Sequence, residues 1–240
     1  MTLKHEIRKV IRRVGYDISS YRPDTHHLAR RQHLLRRYDI DTVLDVGANT
    51  GQYAIELRED LKFAGNIVSF EPMGAEFKVL QQKARRDRKW KTFNYALGDE
   101  DGMSEINVAG NSYSSSMLEM LPAHVKAAPD SVYVGQEKIV VRKLDSMIDS
   151  VCSVDDNIYL KMDVQGFERR VLLGAEQSLR RIRTIQLEMS LRPLYEGELP
   201  FGEMHGVLLA KGFQLVSLEQ GFADVETGHL LQIDGVYRRD

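Results

Sequence analysis

The 240-residue chain is 42% hydrophobic and 28% charged, an ordinary balance for a globular protein with a sizeable core, which argues against disorder. No apolar run approaches the ~20 residues of a membrane-spanning helix, and the first residues are too charged for a secretory leader. The single cysteine, Cys152, excludes an intrachain disulfide framework and a thiolate zinc site, and fits a reducing cytoplasm.

Net charge is −2, but residues 1–37 hold ten Lys/Arg against three Asp/Glu, so a +7 arm precedes a −9 body. That split argues against nucleic-acid binding by the body and leaves an anionic partner open for the arm. Within the arm, Leu3, Ile7, Val10, Ile11 and Val14 recur at helical spacing among Lys4, Arg8, Lys9, Arg12 and Arg13. Two readings of this basic amphipathic helix stand: peripheral membrane contact, or a stripe packed on the body or on a second subunit of a homo-oligomer. A second helix is expected over 25–38, which closes an N-terminal extension of residues 1–38.

From residue 39 to 240 the pattern is that of one α/β domain. Strands Thr42–Val46, Asn66–Phe70 and 92–97 alternate with helices near 52–61 and 74–87, as in parallel βαβ units. Residues 103–144 break the rhythm. Their β-like runs, 104–108 and 138–142, flank a polar stretch and predict an inserted hairpin or lid. The rhythm returns with strand Ile158–Met162, a helix at 167–180, strand 184–189, a helix at 201–211 and strands 214–218 and 230–237.

The loop Asp45-Val46-Gly47-Ala48-Asn49-Thr50-Gly51 joins a buried-looking strand to a helix. Its G-x-x-x-G spacing is neither the dinucleotide fingerprint nor a nucleotide P-loop. An aspartate ahead of the first glycine suits an ammonium or hydroxyls better than a phosphate, which points to S-adenosylmethionine. Glu71 ends the next strand, where an acid can accept both ribose hydroxyls, and Pro72 fixes the turn after it.

These segments, continued by Gln52-Tyr53, Asn94-Tyr95-Ala96-Leu97-Gly98-Asp99, Lys161-Met162-Asp163-Val164-Gln165-Gly166-Phe167-Glu168 and Glu188-Met189-Ser190-Leu191-Arg192-Pro193, resemble the FkbM family of S-adenosylmethionine-dependent O-methyltransferases. The resemblance covers about residues 40–237. One departure is Gln165, where many members carry Glu. It implies the class I methyltransferase (Rossmann-like) fold, a mostly parallel seven-stranded sheet with helices on both faces and an antiparallel last strand. It further implies a hydroxyl acceptor on a sugar, glycolipid or glycosylated natural product. By the same carry-over Gly47, Asn49, Gly51, Gln52 and Tyr53 line the methionine end of the cofactor, Glu71 the ribose, and Ala96 and Leu97 the adenine.

For catalysis, Asp163 and Glu188 each end a strand at the edge where open α/β sheets bind ligands, as neighbours able to share a proton or hold a divalent cation. Metal binding is the less favoured reading, since no fuller ligand cluster is visible. Among seven histidines, His124 in the insertion and His229 before the last strand are candidates for the base. Residues 112–116 are expected to form a substrate or cofactor lid, with Ser114, Ser115, Ser116 and Arg192 near the acceptor. Two other classes stay open: a nicotinamide oxidoreductase, which the loop's missing third glycine disfavours, and a module that binds S-adenosylmethionine without turnover. A glycosyltransferase has only Asp99-Glu100-Asp101 in its favour.

Overall fold

The computed structural model describes residues 3–240, with side chains from His5 onward. Leu3 opens the first helix but its side chain lies outside the described residues. Helix α1 (Leu3–Arg13) stands ahead of α2 (His27–Arg37), and the body begins with β1 (Thr42–Val46). Every residue of β1 is buried, which is why it reads as a nearly continuous apolar run rather than an alternating one. It is followed by α3 (Gln52–Glu59), β2 (Asn66–Phe70), α4 (Gly74–Ala84) and β3 (Trp90–Phe93), and the three strands pair in parallel.

The expected strand at 92–97 is two strands. β3 stays at the sheet edge, while β4 (Ala96–Leu97) leaves it to pair with the insertion. Asn94 causes the break: its Nδ2 donates to the Glu71 and Pro72 carbonyls at 3.0 and 2.9 Å, turning the chain out of the ladder. β5 (Gly102–Ala109) and β6 (Tyr133–Arg142) then form an antiparallel pair, giving a second sheet of order β4-β6-β5. Helix α5 (Pro122–Ala127) lies in their connection, and α6 (Ile148–Val151) leads back to the body.

The body resumes with β7 (Ile158–Met162), α7 (Glu168–Leu173), β8 (Ile182–Ser190), α8 (Phe201–Ala210), β9 (Gln214–Gln220) and β10 (Gln232–Arg238). The helix expected over 167–180 stops at Leu173. Gly174 lies so close to the neighbouring chain that a Cβ there would sit 1.8 Å from the Gly98 carbonyl oxygen. Beyond it Asp145 accepts the backbone N–H groups of Gln177 and Ser178, holding a separate turn.

The main sheet has seven strands in the order β3-β2-β1-β7-β8-β10-β9. β1, β2, β3, β7 and β8 are parallel, and β10 runs antiparallel to both β8 and β9. Alternate side chains of β1 face opposite layers. Val43 packs with Leu35 of α2, Leu57 of α3 and Leu80 of α4, whereas Leu44 packs with Val171 of α7 and Leu208 of α8. Helices thus cover both faces, as the class I methyltransferase fold requires. Truncating the fully buried Leu57 to Ala is expected to cost about 2–5 kcal/mol.

Candidate active site

The sheet reverses direction of growth at β1, which has β2 on one side and β7 on the other. Open α/β sheets place their ligand crevice at the carboxyl ends of such strands. A cavity of about 260 Å³ lies there. It is lined by the segments after β1 (Gly47, Asn49), β2 (Glu71, Pro72, Met73) and β7 (Asp163, Val164, Gln165, Phe167), by Glu188 of β8, by Ala96 and Leu97, and by Ser112, Tyr113, Ser115 and Met117 of the insertion.

The two loop glycines are required by packing. Gly47 (φ +75°) would place a Cβ 1.8 Å from the Asp163 carbonyl oxygen, and Gly51 (φ +87°) would place one 2.9 Å from Leu80 and Trp90. Positive φ and close approach both favour glycine. Gly47 alone of the two lines the cavity. Asn49, also left-handed at φ +46°, donates its backbone N–H to Glu71 Oε2 at 2.7 Å, and Met73 donates its own to Glu71 Oε1 at 2.9 Å. Glu71 is only 3% exposed, and burial pushes its carboxyl up to about 7. One backbone donor per oxygen leaves each a further lone pair for a ligand.

Asp163 and Glu188 meet through Gln165. The Gln165 Nε2 donates to Asp163 Oδ1 at 2.8 Å and to Glu188 Oε2 at 2.9 Å. Gln165 sits at φ +53°, in the turn completed by Gly166. Its Oε1 accepts the Tyr195 hydroxyl, and its backbone carbonyl accepts the Ser116 hydroxyl, both at 2.7 Å. Glu188 takes a second donor, Gln232 Nε2, on the same Oε2 at 2.7 Å, leaving Oε1 without a partner among the described residues. Burial, then the charges of Asp163 and Asp234, raise the Glu188 carboxyl well above the usual carboxylate range.

Beneath the floor, Asp45 does not line the cavity. It is fully buried, accepts the Ser69 hydroxyl at 3.0 Å, and pairs with Lys161 Nζ at 3.2 Å. Lys161 also donates to the Gly47 carbonyl at 3.2 Å and approaches Asp163 Oδ2 at 3.7 Å, so one buried ammonium ties loop, floor and wall together. Its neighbouring carboxylates outweigh burial and hold it up to about 12. Tyr53 is also below the cavity, donating to Gln186 Oε1 at 2.9 Å with its ring 5.2 Å from Lys161 Nζ. Gln52 is exposed at the mouth, donating to Tyr113 Oη at 3.3 Å.

The insertion covers the mouth. Ser115 lines the cavity, while Ser114 and Ser116 are buried beside it. The Ser116 hydroxyl ties the insertion to the β7–α7 turn. Arg192 and His229 are exposed and line no part of the cavity, and His229 sits in the turn between Asp224 and Leu230. His124 is buried away from the cavity against Tyr195 and Phe222. Asp99 is paired with Arg170, and Asp101 accepts from Lys143 N and Ser146 Oγ, so the Asp-x-Asp run is occupied structurally. Among the described residues no group of three or more His, Cys, Asp or Glu is arranged to hold a metal ion.

Reasoning from the sequence did not assign Gln165, Lys161 or Tyr195 to the site, nor Met117 to the lid, whereas Ser112 and Tyr113 fall within the lid it expected. Lys161 carried one signal, a lysine inside an otherwise apolar central strand.

Three carboxylates line the cavity and, among the described residues, no Lys, Arg or His does. Such a lining offers no cationic side chain to the pyrophosphate of a nicotinamide cofactor. It fits S-adenosylmethionine, which presents an ammonium, a sulfonium and ribose hydroxyls. The sequence profile described as the methyltransferase FkbM domain matches residues 45–215. The chain belongs to the FkbM methyltransferase family.

A relative of this methyltransferase is the 2-O-methyltransferase NoeI of Sinorhizobium fredii (strain NBRC 101917 / NGR234), 26% identical over 182 residues that cover 73% of each chain. Among solved structures, a putative O-methyltransferase from Klebsiella pneumoniae aligns over 100% of this chain and 90% of its own, with TM-score 0.47 and 11% identity. Magnesium protoporphyrin IX methyltransferase from Synechocystis PCC 6803, solved with bound SAM, aligns over 100% and 98%, with TM-score 0.45 and 12% identity. The enzyme is a methyltransferase that uses S-adenosylmethionine, and no described helix is long and apolar enough to cross a membrane.

Proposed function

We propose that this enzyme methylates a hydroxyl group of a sugar, on a glycolipid or a glycosylated natural product. The observation that carries the reading is the Asp163–Gln165–Glu188 array at the cavity wall. A hydroxyl has to lose a proton as it is methylated, and a carboxylate with raised proton affinity is suited to take it. Glu188, with Oε1 free and its carboxyl held above the usual range, fills that role. Asp163, 40% exposed at its side chain, would accept a hydrogen bond from a neighbouring hydroxyl of the same sugar and so orient the one that is methylated. The name of NoeI supports an oxygen acceptor.

Glu71 would hold the ribose, Asn49 and the Gly47 loop the methionine end, and Ala96 with Leu97 the adenine. When bound, S-adenosylmethionine supplies an electrophilic methyl carbon whose bond to sulfur breaks as its bond to oxygen forms. The residues of the chain do the rest. They bring the oxygen into line, exclude water beneath Ser112–Met117 of the insertion, and accept the proton at Glu188.

The test is to incubate the enzyme with S-adenosylmethionine and unmethylated glycosides or a glycolipid extract, and to follow products by mass spectrometry. A mass gain of one methylene on the sugar, lost in Glu188→Gln, supports the reading. Methylation confined to a non-sugar nucleophile would refute it.

A further inference from the structure

Helix α1 and the loop after it are not used by the methyl-transfer site. The side chains of Ile7, Val10 and Val14 are 46%, 61% and 68% exposed, and those of Tyr16, Ile18 and Tyr21 are exposed as well. None of them belongs to a hydrophobic cluster of the body. The apolar side is flanked by Arg8 and Arg12 on one border and Lys9 and Arg13 on the other, as helical geometry requires of these positions. Asp17 folds back onto Arg8 and Arg12 at 3.0 and 2.8 Å, fixing the loop beneath the helix.

We infer that α1, with Tyr16, Ile18 and Tyr21, is a docking element for an anionic lipid surface. A stripe of aliphatic side chains can enter the acyl boundary while long basic side chains reach the headgroups, and tyrosines favour that same depth. Neither signal is strong alone. An apolar stripe joined to a basic cluster supplies the two that stable but reversible anchoring needs. A second copy of the chain is a poorer occupant. Pairing two arms of charge +7 brings like charges together, and a few side chains fall short of the ~1,200 Å² that a stable interface buries.

The topology gives the element a use. α2 carries Arg31 against Glu219, at the carboxyl end of β9, and then runs into the start of β1 beside Asn157. It therefore descends from the carboxyl edge of the sheet, and the chain before it leaves from the edge that holds the cavity. Tethered there by residues 14–26, α1 can meet a lipid surface on the side of the molecule that holds the cavity. The inference stands apart from the acceptor reading, because vesicle binding is measured without an acceptor.

The experiment is co-sedimentation of the full chain with vesicles of phosphatidylcholine alone or mixed with phosphatidylglycerol. The expected result is binding at least about tenfold stronger to the anionic vesicles, weakened by salt, and lost in the triple variant Ile7→Gln, Val10→Gln, Val14→Gln. S-adenosylhomocysteine binding by that variant should equal wild type, since these side chains are exposed and join no hydrophobic cluster of the body. Wild-type protein left in the supernatant, or a triple variant that binds as well as wild type, overturns the inference. A dimer that the triple variant converts to monomer, without vesicle binding, overturns it in favour of a second copy.

Discussion

Tyr195 donates its hydroxyl to Gln165 Oε1 at 2.7 Å, and that bond decides which way round the Gln165 amide sits. With its oxygen toward Tyr195, its NH₂ must face Asp163 and Glu188. Two neighbouring acids are thereby held together by one neutral donor, each accepting a hydrogen bond from the same NH₂ group.

Replacing Gln165 by Glu removes both donated hydrogens and adds a third acid. The set then retains protons to higher pH, so the rising limb of the rate–pH profile should move alkaline. Activity near pH 7 should fall about 10–100-fold. Tyr195→Phe, which frees the amide to rotate, should give a smaller loss in kcat with little change in cofactor binding. An unaltered pH profile in Gln165→Glu would show that the array does not govern the proton.

Glu71 accepts one backbone N–H on each oxygen. Glu71→Gln can accept only one and turns an NH₂ toward the other, so unfolding titrations should show a loss of about 1–3 kcal/mol. S-adenosylhomocysteine affinity, read by calorimetry, should drop at least about tenfold as well. Wild-type affinity in this variant would remove Glu71 from the site.

Lys161 neutralises Asp45, which has no exposed surface. Lys161→Met strands that carboxylate and should destabilise the fold by about 3–5 kcal/mol. The double variant Lys161→Met, Asp45→Leu should recover much of the loss. Additive effects of the two substitutions would mean the pair is not coupled.

His124 is buried with Nδ1 unpartnered, and desolvation pushes its pKa down to about 4. Between there and the ordinary value near 6.5 the unfolded chain binds the proton and the folded one does not. Stability from this site is therefore complete above about pH 6.5 and is lost as pH falls toward 4. Urea midpoints of His124→Leu should decline less than those of wild type between pH 7 and 5. Parallel declines would place the acid sensitivity elsewhere.

Strand β1 and the glycine loop were legible because a fully buried parallel strand leaves an apolar run and its turn needs glycine. Asp163 was legible because it directly follows a strand, and Glu188 because it lies toward the carboxyl end of the next one. What the text concealed is where side chains turn. Asp45 sits in the same motif as Gly47 but faces Lys161 below the sheet's edge, and nothing in local spacing separates the two directions. Gln165 stood in view as a departure from the family pattern. Its role depends on Tyr195, thirty residues later, and on a left-handed backbone that a non-glycine residue gives no sign of. His229 precedes the last strand as expected, yet its turn points to solvent.

The most direct test of the central claim is a thermal unfolding comparison of S-adenosylhomocysteine with NAD⁺ on the wild-type chain. S-adenosylhomocysteine at a hundred times its dissociation constant should add about 2.7 kcal/mol of stability, whereas NAD⁺ should add none. No shift with S-adenosylhomocysteine, or a shift with NAD⁺ alone, would contradict the assignment of the carboxylate-lined cavity to the methyl donor.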